Sequence, residues 1–259
     1  MQREQFELHA AIEQRHWWFV ARRTIVEALV HELIAPGAVA LDVGCGTGAN
    51  AAALATSFRC EGMDTSEDAI ALARQHWDGV TFHHADALDP ATPLPPELSV
   101  VLLMDVLEHI DDDVSFLSGL VDRMEPGAHL LITVPANPSL WSRHDDAFGH
   151  HRRYTMDSLP RVWAGLPVEV RLLTPYCSAL YPAVWTVRTA MRPFAGSFGD
   201  ADTDFRMPPG PVNATLRRLF AAERHHLVPL LRGERARSFP FGSSLVAVLR
   251  VRETSSAAA

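Results

Sequence analysis

The sequence predicts an α/β fold: a mostly parallel sheet with helices on both faces. Three observations predict it. From Ala38 to about Pro135, short apolar runs alternate with helix-forming stretches, the pattern of strands joined by crossover helices. Leu98–Met104 is apolar at every position but Ser99, as suits a strand buried on both faces. The run Ala38–Val43 ends directly in a turn containing Gly44, Gly46 and Gly48, followed by an alanine-rich segment suited to a helix.

The elements follow in order. Phe19, Ile25, Val26, Leu29, Val30 and Leu33 recur at helical spacing, so segment 1–36 is expected to be helical, closed by Pro36-Gly37. Strands are expected at Ala38–Val43, Arg59–Met63, Val80–His84, Leu98–Met104 and His129–Val134. Helices are expected between them, such as Ser66–His76 and Asp112–Met124. After Pro135 the pattern changes. Ala136–Tyr154 reads as a long loop, Met156–Leu166 as a helix and Val168–Leu173 as a strand. The last strand is Ser244–Val251. Thr174–Phe241 is far too long for a hairpin connection. It carries helices near Tyr181–Met191 and Val212–His226, with a loop at Gly196–Pro211 between them. This gives an N-terminal helical segment (1–36), a core (37–173 and 242–252), a helical cap inserted before the last strand (174–241) and a disordered tail (253–259).

Composition narrows the function. The 259 residues suffice for one large α/β domain with an insertion. A net charge of −8 argues against general nucleic-acid binding. All 23 basic residues are arginine, which excludes a Schiff-base lysine. Cys45, Cys60 and Cys177 form no paired framework, which suits a reducing, cytoplasmic setting and argues against a cysteine zinc site. Charges throughout the N-terminus argue against a signal peptide, and no apolar run reaches the ~20 residues of a membrane span. Peripheral membrane contact through the cap stays open, as does a homodimer.

The glycine turn points to a nucleoside-bearing cofactor at the carboxyl end of a strand, where free helix N–H groups meet the ligand. Nicotinamide and flavin enzymes space these glycines as Gly-x-Gly-x-x-Gly, and here the third comes one residue early. The second strand ends in Asp64, placed to accept from ribose hydroxyls, and Asp86 follows the third, placed to accept from an adenine amino group.

At these residues the chain resembles the class I S-adenosylmethionine-dependent methyltransferases, from Val39 to about Pro135. Leu41–Gly48 looks like the family's first motif, Met104–Ile110 like its fourth-strand motif, and Glu125-Pro126-Gly127 fits before the fifth strand. The resemblance implies a Rossmann-like sheet of seven strands, the last antiparallel. The cofactor it implies is S-adenosyl-L-methionine, leaving as S-adenosyl-L-homocysteine. The residues implied to hold it are Asp42, Gly44, Cys45, Gly46, Gly48, Asp64, Thr65, Asp86, Ala87, Asp105 and Leu107. Asp42 would act near the ammonium, directly or through water, or bond the turn backbone.

The acceptor side is less legible. His109 lies just past the fourth strand, where the activated methyl is expected, and can serve as a base or make a structural hydrogen bond. The segment Trp141–Thr155 is dense in functional side chains. With His16–Phe19 and Arg22-Arg23 it resembles a bacterial small-molecule subgroup with a tryptophan-rich helix before the cofactor motif; Asn213, Glu223 and Phe241–Ser244 also fit. The candidate catalytic residues are His109, His144, Asp145, His150 and Tyr154, with His151 beside them. Trp17, Trp18, Arg22, Trp141, Arg152 and Arg153 are the candidate acceptor contacts. Against these stand plain core packing for Trp17 and Trp18, and ion pairs with Asp145, Asp146 or Glu223 for the arginines. His144, Asp145, His150 and His151 include metal-binding types, but the resemblance requires no ion and none is expected. Asp111–Asp113 is expected to begin a helix.

The expected function is methyl transfer to a small, partly apolar or anionic acceptor in secondary-metabolite, sugar or lipid-linked biosynthesis. O-methylation is preferred, because histidines supply a base. The alternatives are a non-methylating reaction such as cyclisation on the same fold, and a non-catalytic binding or assembly protein.

Overall fold

A computed structural model describes residues 3–191 and 205–253. Two helices open the chain, α1 (Arg3–Ile12) and α2 (Trp17–Leu33). Then come β1 (Val39–Val43), α3 (Ala49–Leu54), β2 (Arg59–Asp64), α4 (Glu67–His76), β3 (Thr81–His84) and β4 (Leu98–Met104). A 3₁₀ turn at Leu107–His109 leads to α5 (Asp113–Val121) and β5 (His129–Pro135). The second half holds α6 (Arg143–Phe148), β6 (Val168–Tyr176), α7 (Tyr181–Met191), α8 (Gly210–Ala221), α9 (Arg224–Leu231) and β7 (Ser244–Val251).

The seven strands form one sheet in the order β3-β2-β1-β4-β5-β7-β6, with β7 antiparallel to both neighbours. The order reverses beside β1, since β2 leaves on one side and β4 on the other. A crevice opens at the carboxyl ends of the strands at such a reversal. Two apolar clusters flank the sheet. Val100 and Leu102 of β4 face α2, α8 and α9, while Val101 and Leu103 face α5 and Leu159–Trp163. This two-sided burial explains the apolar run Val100–Met104 of β4. Ser66 and Asp112 cap α4 and α5, accepting from the N–H groups of Ala69 and Ser115.

Three expectations change. Residues 143–148 form a short helix within the expected loop, started by a reciprocal box between Ser142 and Asp145. Met156–Leu166 is not an α-helix: only Leu159–Trp163 is helical, and as 3₁₀, because Pro160 lacks an N–H and its ring crowds the preceding turn. The helix expected over Val212–His226 divides into α8 and α9 around Glu223. The Glu223 side chain is turned into the core of the insertion, where it accepts from the N–H groups of Ser178 (2.7 Å) and Ala179 (2.9 Å). The insertion does not only cover the site: α8 and α9 bury Phe220, Leu227 and Leu231 in the same apolar layer as α2. Most of the 196–211 loop and nearly all of the 253–259 tail lie outside the described residues.

Candidate active site

The site begins where β1 runs into the glycine turn. Gly44 and Gly48 have φ of +71° and +86°. A Cβ would stand 2.6 Å from a Val106 methyl at Gly44 and 2.6 Å from the Phe82 ring at Gly48. Only glycine fits both conformation and space. The N–H groups of Gly44 and Cys45 donate to the Met63 carbonyl, which ties the turn to β2. Asp64 fixes the turn from that side: one carboxylate oxygen accepts from Gly46 N–H at 2.9 Å, the other from Ser66 N–H at 2.8 Å. Asp86 accepts from Leu88 N–H at 2.8 Å, which holds its carboxylate at the end of β3.

Beside the turn lies a cavity of about 260 Å³. Gly44–Thr47 form one wall, and the bend between α1 and α2 brings Glu13, Trp17, Trp18 and Arg22 against it. Arg22 is buried and ion-paired with Asp105, and its guanidinium lies 4.4 Å from the Trp18 ring centre. Asp105 sits at φ +58° at the end of β4 and accepts from Thr133 Oγ1 at 3.1 Å. Buried Glu13 accepts from Thr47 Oγ1 at 2.7 Å.

The far wall is aromatic and histidine-rich. Phe19, Phe148 and Phe205 cluster there, with the His144 ring 4.6 Å from that of Phe148. His109 and His150 meet edge to face at 4.7 Å. Asp145 is buried under them: it accepts from Arg153 Nε at 2.7 Å and lies 2.9 Å from His150 Nδ1. Burial alone would raise its carboxyl, but His150 and Arg153 outweigh burial and hold it well below the usual range. Burial, with His150 adding to it, pushes His109 down to about 3, so its ring is neutral near pH 7. Burial also holds His144 well below its usual value. Glu108 is wholly buried, and burial followed by the nearby Asp105 raises its carboxyl well above the ordinary range.

A family profile described as a methyltransferase domain matches residues 15–169, well over half of the chain. The chain belongs to this family. The matched domain is that of the class I S-adenosylmethionine-dependent methyltransferases. It is 32% identical over 98 residues to the ubiquinone biosynthesis O-methyltransferase of Aromatoleum aromaticum, covering 36% of this chain and 42% of that protein. The chain thus spans less than half the length of the curated relatives it matches first. Two solved structures share the fold. One is the putative methyltransferase bound to the Haloferax volcanii Trm112 activator, at TM-score 0.58 and 18% identity over 97% of this chain and 98% of that one. The other is the plantazolicin methyltransferase BamL, at TM-score 0.55 and 13% identity over 96% and 89%.

In this chain the candidate residues divide between the cavity and its supports. Gly44, Cys45, Gly46 and Asp105 line the cavity, as do Trp17, Trp18, Arg22, His109, His144, His150 and Arg153. Arg153 is also ion-paired with Asp145. Gly48, Asp64, Thr65, Asp86, Ala87 and Leu107 lie behind the turn or along the neighbouring strand ends and do not line it. Asp42 also lies behind it, wholly buried, with no hydrogen-bond partner for either carboxylate oxygen among the described residues.

Three candidates are placed elsewhere. Tyr154 is packed in the core, with its hydroxyl donating to Asp113 at 2.6 Å, so it supports the fold and does not face the cavity. Arg152 pairs with Asp113 at 2.8 Å and does not line the cavity. The Trp141 indole N–H donates to Asp146 at 3.0 Å. Asp145 lies under the cavity wall and orients His150.

The late motif residues turn out to be braces. The Asn213 side chain accepts from Trp17 N–H at 2.8 Å and donates to the Arg15 carbonyl at 2.8 Å, which fixes the bend between α1 and α2. Gly242 passes so close to Tyr176 that a Cβ would stand 2.2 Å from its carbonyl oxygen. Glu13 was missed by the sequence reading. It sits in no motif, and its partner Thr47 is 34 residues away.

Proposed function

We propose that this methyltransferase moves a methyl group to a hydroxyl oxygen of a small, partly apolar acceptor. The supporting observation is the cavity, which has the glycine turn on one side and the aromatic and histidine wall on the other. The residues suit S-adenosylmethionine. Arg22 is a cation on the cavity wall beside Gly44, suited to the methionine carboxylate. Glu13 and Asp105 are the acids on the same wall, suited to the ammonium. Asp64 and Asp86 are read as the ribose and adenine acceptors.

When bound, the cofactor supplies a methyl carbon already activated by its sulfonium. The protein's task is then alignment, exclusion of water and removal of one proton. Phe19, Phe148 and Phe205 hold the apolar part of the acceptor against the wall. These side chains would hold the acceptor oxygen facing the methyl that the bound cofactor would supply. The proton of that oxygen passes to His150 Nε2. Asp145 occupies Nδ1, fixes the ring and stabilises the imidazolium.

The test is incubation of the methyltransferase with methyl-labelled S-adenosylmethionine and fractionated small-molecule extracts. S-adenosylhomocysteine should form together with a labelled product whose methyl shift in NMR is that of a methoxy group. Label on nitrogen or carbon would overturn the O-methylation reading. Tight cofactor binding without transfer to any fraction would overturn the enzyme reading.

A further inference from the structure

We propose that Glu108, His109 and His150 form a binding site for one divalent transition-metal ion in the cavity wall. One potential ligand atom from each residue lies within 4.8 Å of the others. Ligands held at ~2.1 Å from a common ion stand at most ~4.2 Å apart, so small side-chain rotations would close the site. All three residues line the cavity.

A second, independent observation concerns Glu108. Its side chain is 0% exposed, and neither carboxylate oxygen has a hydrogen-bond partner among the described residues. A buried carboxylate without a donor is costly, and a bound cation removes that cost. Arg22 and Arg153 favour the charged form of Glu108 from nearby but make no hydrogen bond to it, and they pair with Asp105 and Asp145.

The histidines are arranged as ligands. His150 Nδ1 is taken by Asp145, which leaves Nε2 as the ligating atom. A carboxylate behind a histidine is the usual outer support of a metal ligand. The His151 N–H donates to the Glu108 carbonyl at 2.7 Å, which fixes the loop carrying His150 against the turn carrying Glu108 and His109. Two imidazoles and one carboxylate suit a borderline ion such as Zn²⁺ or Co²⁺ better than Mg²⁺. Three protein ligands leave a position open to the cavity.

The site stands on its own geometry; its role rests on the O-methylation reading. A hydroxyl coordinated at the open position is more acidic and loses its proton to solvent. His150 then serves as ligand, and the proton-accepting role given above describes the ion-free protein.

The experiment uses untagged full-length protein, stripped with a chelator and desalted, with Zn²⁺ and Co²⁺ as probes. Calorimetry should give one Zn²⁺ per chain, and Co²⁺ should give visible absorption of four- or five-coordinate strength. Glu108→Gln and His150→Ala should each weaken Zn²⁺ binding at least about tenfold, while S-adenosylhomocysteine binding, measured in parallel, reports that each variant is folded. His109→Ala serves if either is not. Wild-type protein that binds S-adenosylhomocysteine but no stoichiometric ion overturns the proposal. So does Zn²⁺ binding unchanged in all three variants. Ion binding without S-adenosylhomocysteine binding would instead overturn the functional reading and leave the metal site standing.

Discussion

His150 Nδ1 lies 2.9 Å from Oδ1 of Asp145, and this contact decides which ring nitrogen is left for the cavity. The imidazole is held with its proton on Nδ1 and its lone pair on Nε2. Asp145→Asn removes the anion and frees the tautomer. We expect methyl transfer to slow by ~10² or more, with the cofactor dissociation constant little changed. Single-turnover rates with an identified acceptor check the first part and calorimetry the second. In ¹H–¹⁵N spectra His150 should shift from the Nδ1–H tautomer to a mixture, and an unchanged tautomer would remove the argument.

Asp64→Ala tests the cofactor wall. The carboxylate accepts from Gly46 and Ser66 N–H groups and is assigned the ribose hydroxyls. Its loss should weaken S-adenosylhomocysteine binding by ~1–3 kcal/mol, read by calorimetry. Unchanged affinity would sink the assignment.

Gly48→Ala should destabilise the fold by ~2 kcal/mol or more, since φ is +86° and the new methyl meets Phe82 at 2.6 Å. Denaturant midpoints measure the loss. Adding Phe82→Leu should recover part of it by opening space, while the backbone strain remains. A single variant as stable as wild type would contradict the geometry.

Asp42 predicts a pH dependence of stability. Burial, opposed by Arg22 and assisted by Asp64, pushes its carboxyl up from 3.8 to about 7. The folded state therefore binds this proton more tightly than the unfolded chain. The resulting stabilisation is complete below pH 3.8 and is lost as pH rises through 7, by ~4 kcal/mol in all. More than half of that falls between pH 5 and 8. Asp42→Asn, which cannot ionise, should flatten this slope. Urea midpoints at the two pH values decide it, and parallel slopes would show that Asp42 does not titrate there.

Legibility followed the physics of each element. The bounds of β4 and β7 are legible to the residue, because strands buried on both faces leave long, nearly continuous apolar runs. The α6 helix was missed because six residues carry little periodicity, and its start depends on the Ser142–Asp145 box inside a charged stretch. Pro160 was the unused signal against a helix at 156–166. On the cofactor side, residue type and spacing were enough to place the glycine turn. On the acceptor side they were not: Tyr154, Arg152 and His150 lie within five residues, yet the fold sends the first two to Asp113 and only His150 to the cavity. Such choices depend on partners far away in sequence, which no local pattern records.

The Asn213 amide joins the backbone on either side of His16 from 196 and 198 residues away. That bond makes the protein hard to cut into interchangeable modules. A shortened chain carrying only the nucleotide-binding half would keep the glycine turn but lose the brace that shapes the wall opposite it. Grafting the insertion onto a different scaffold would likewise carry only half of the joint. Engineers who exchange acceptor preferences between such proteins should therefore transplant the first thirty or so residues and the segment around Asn213 together.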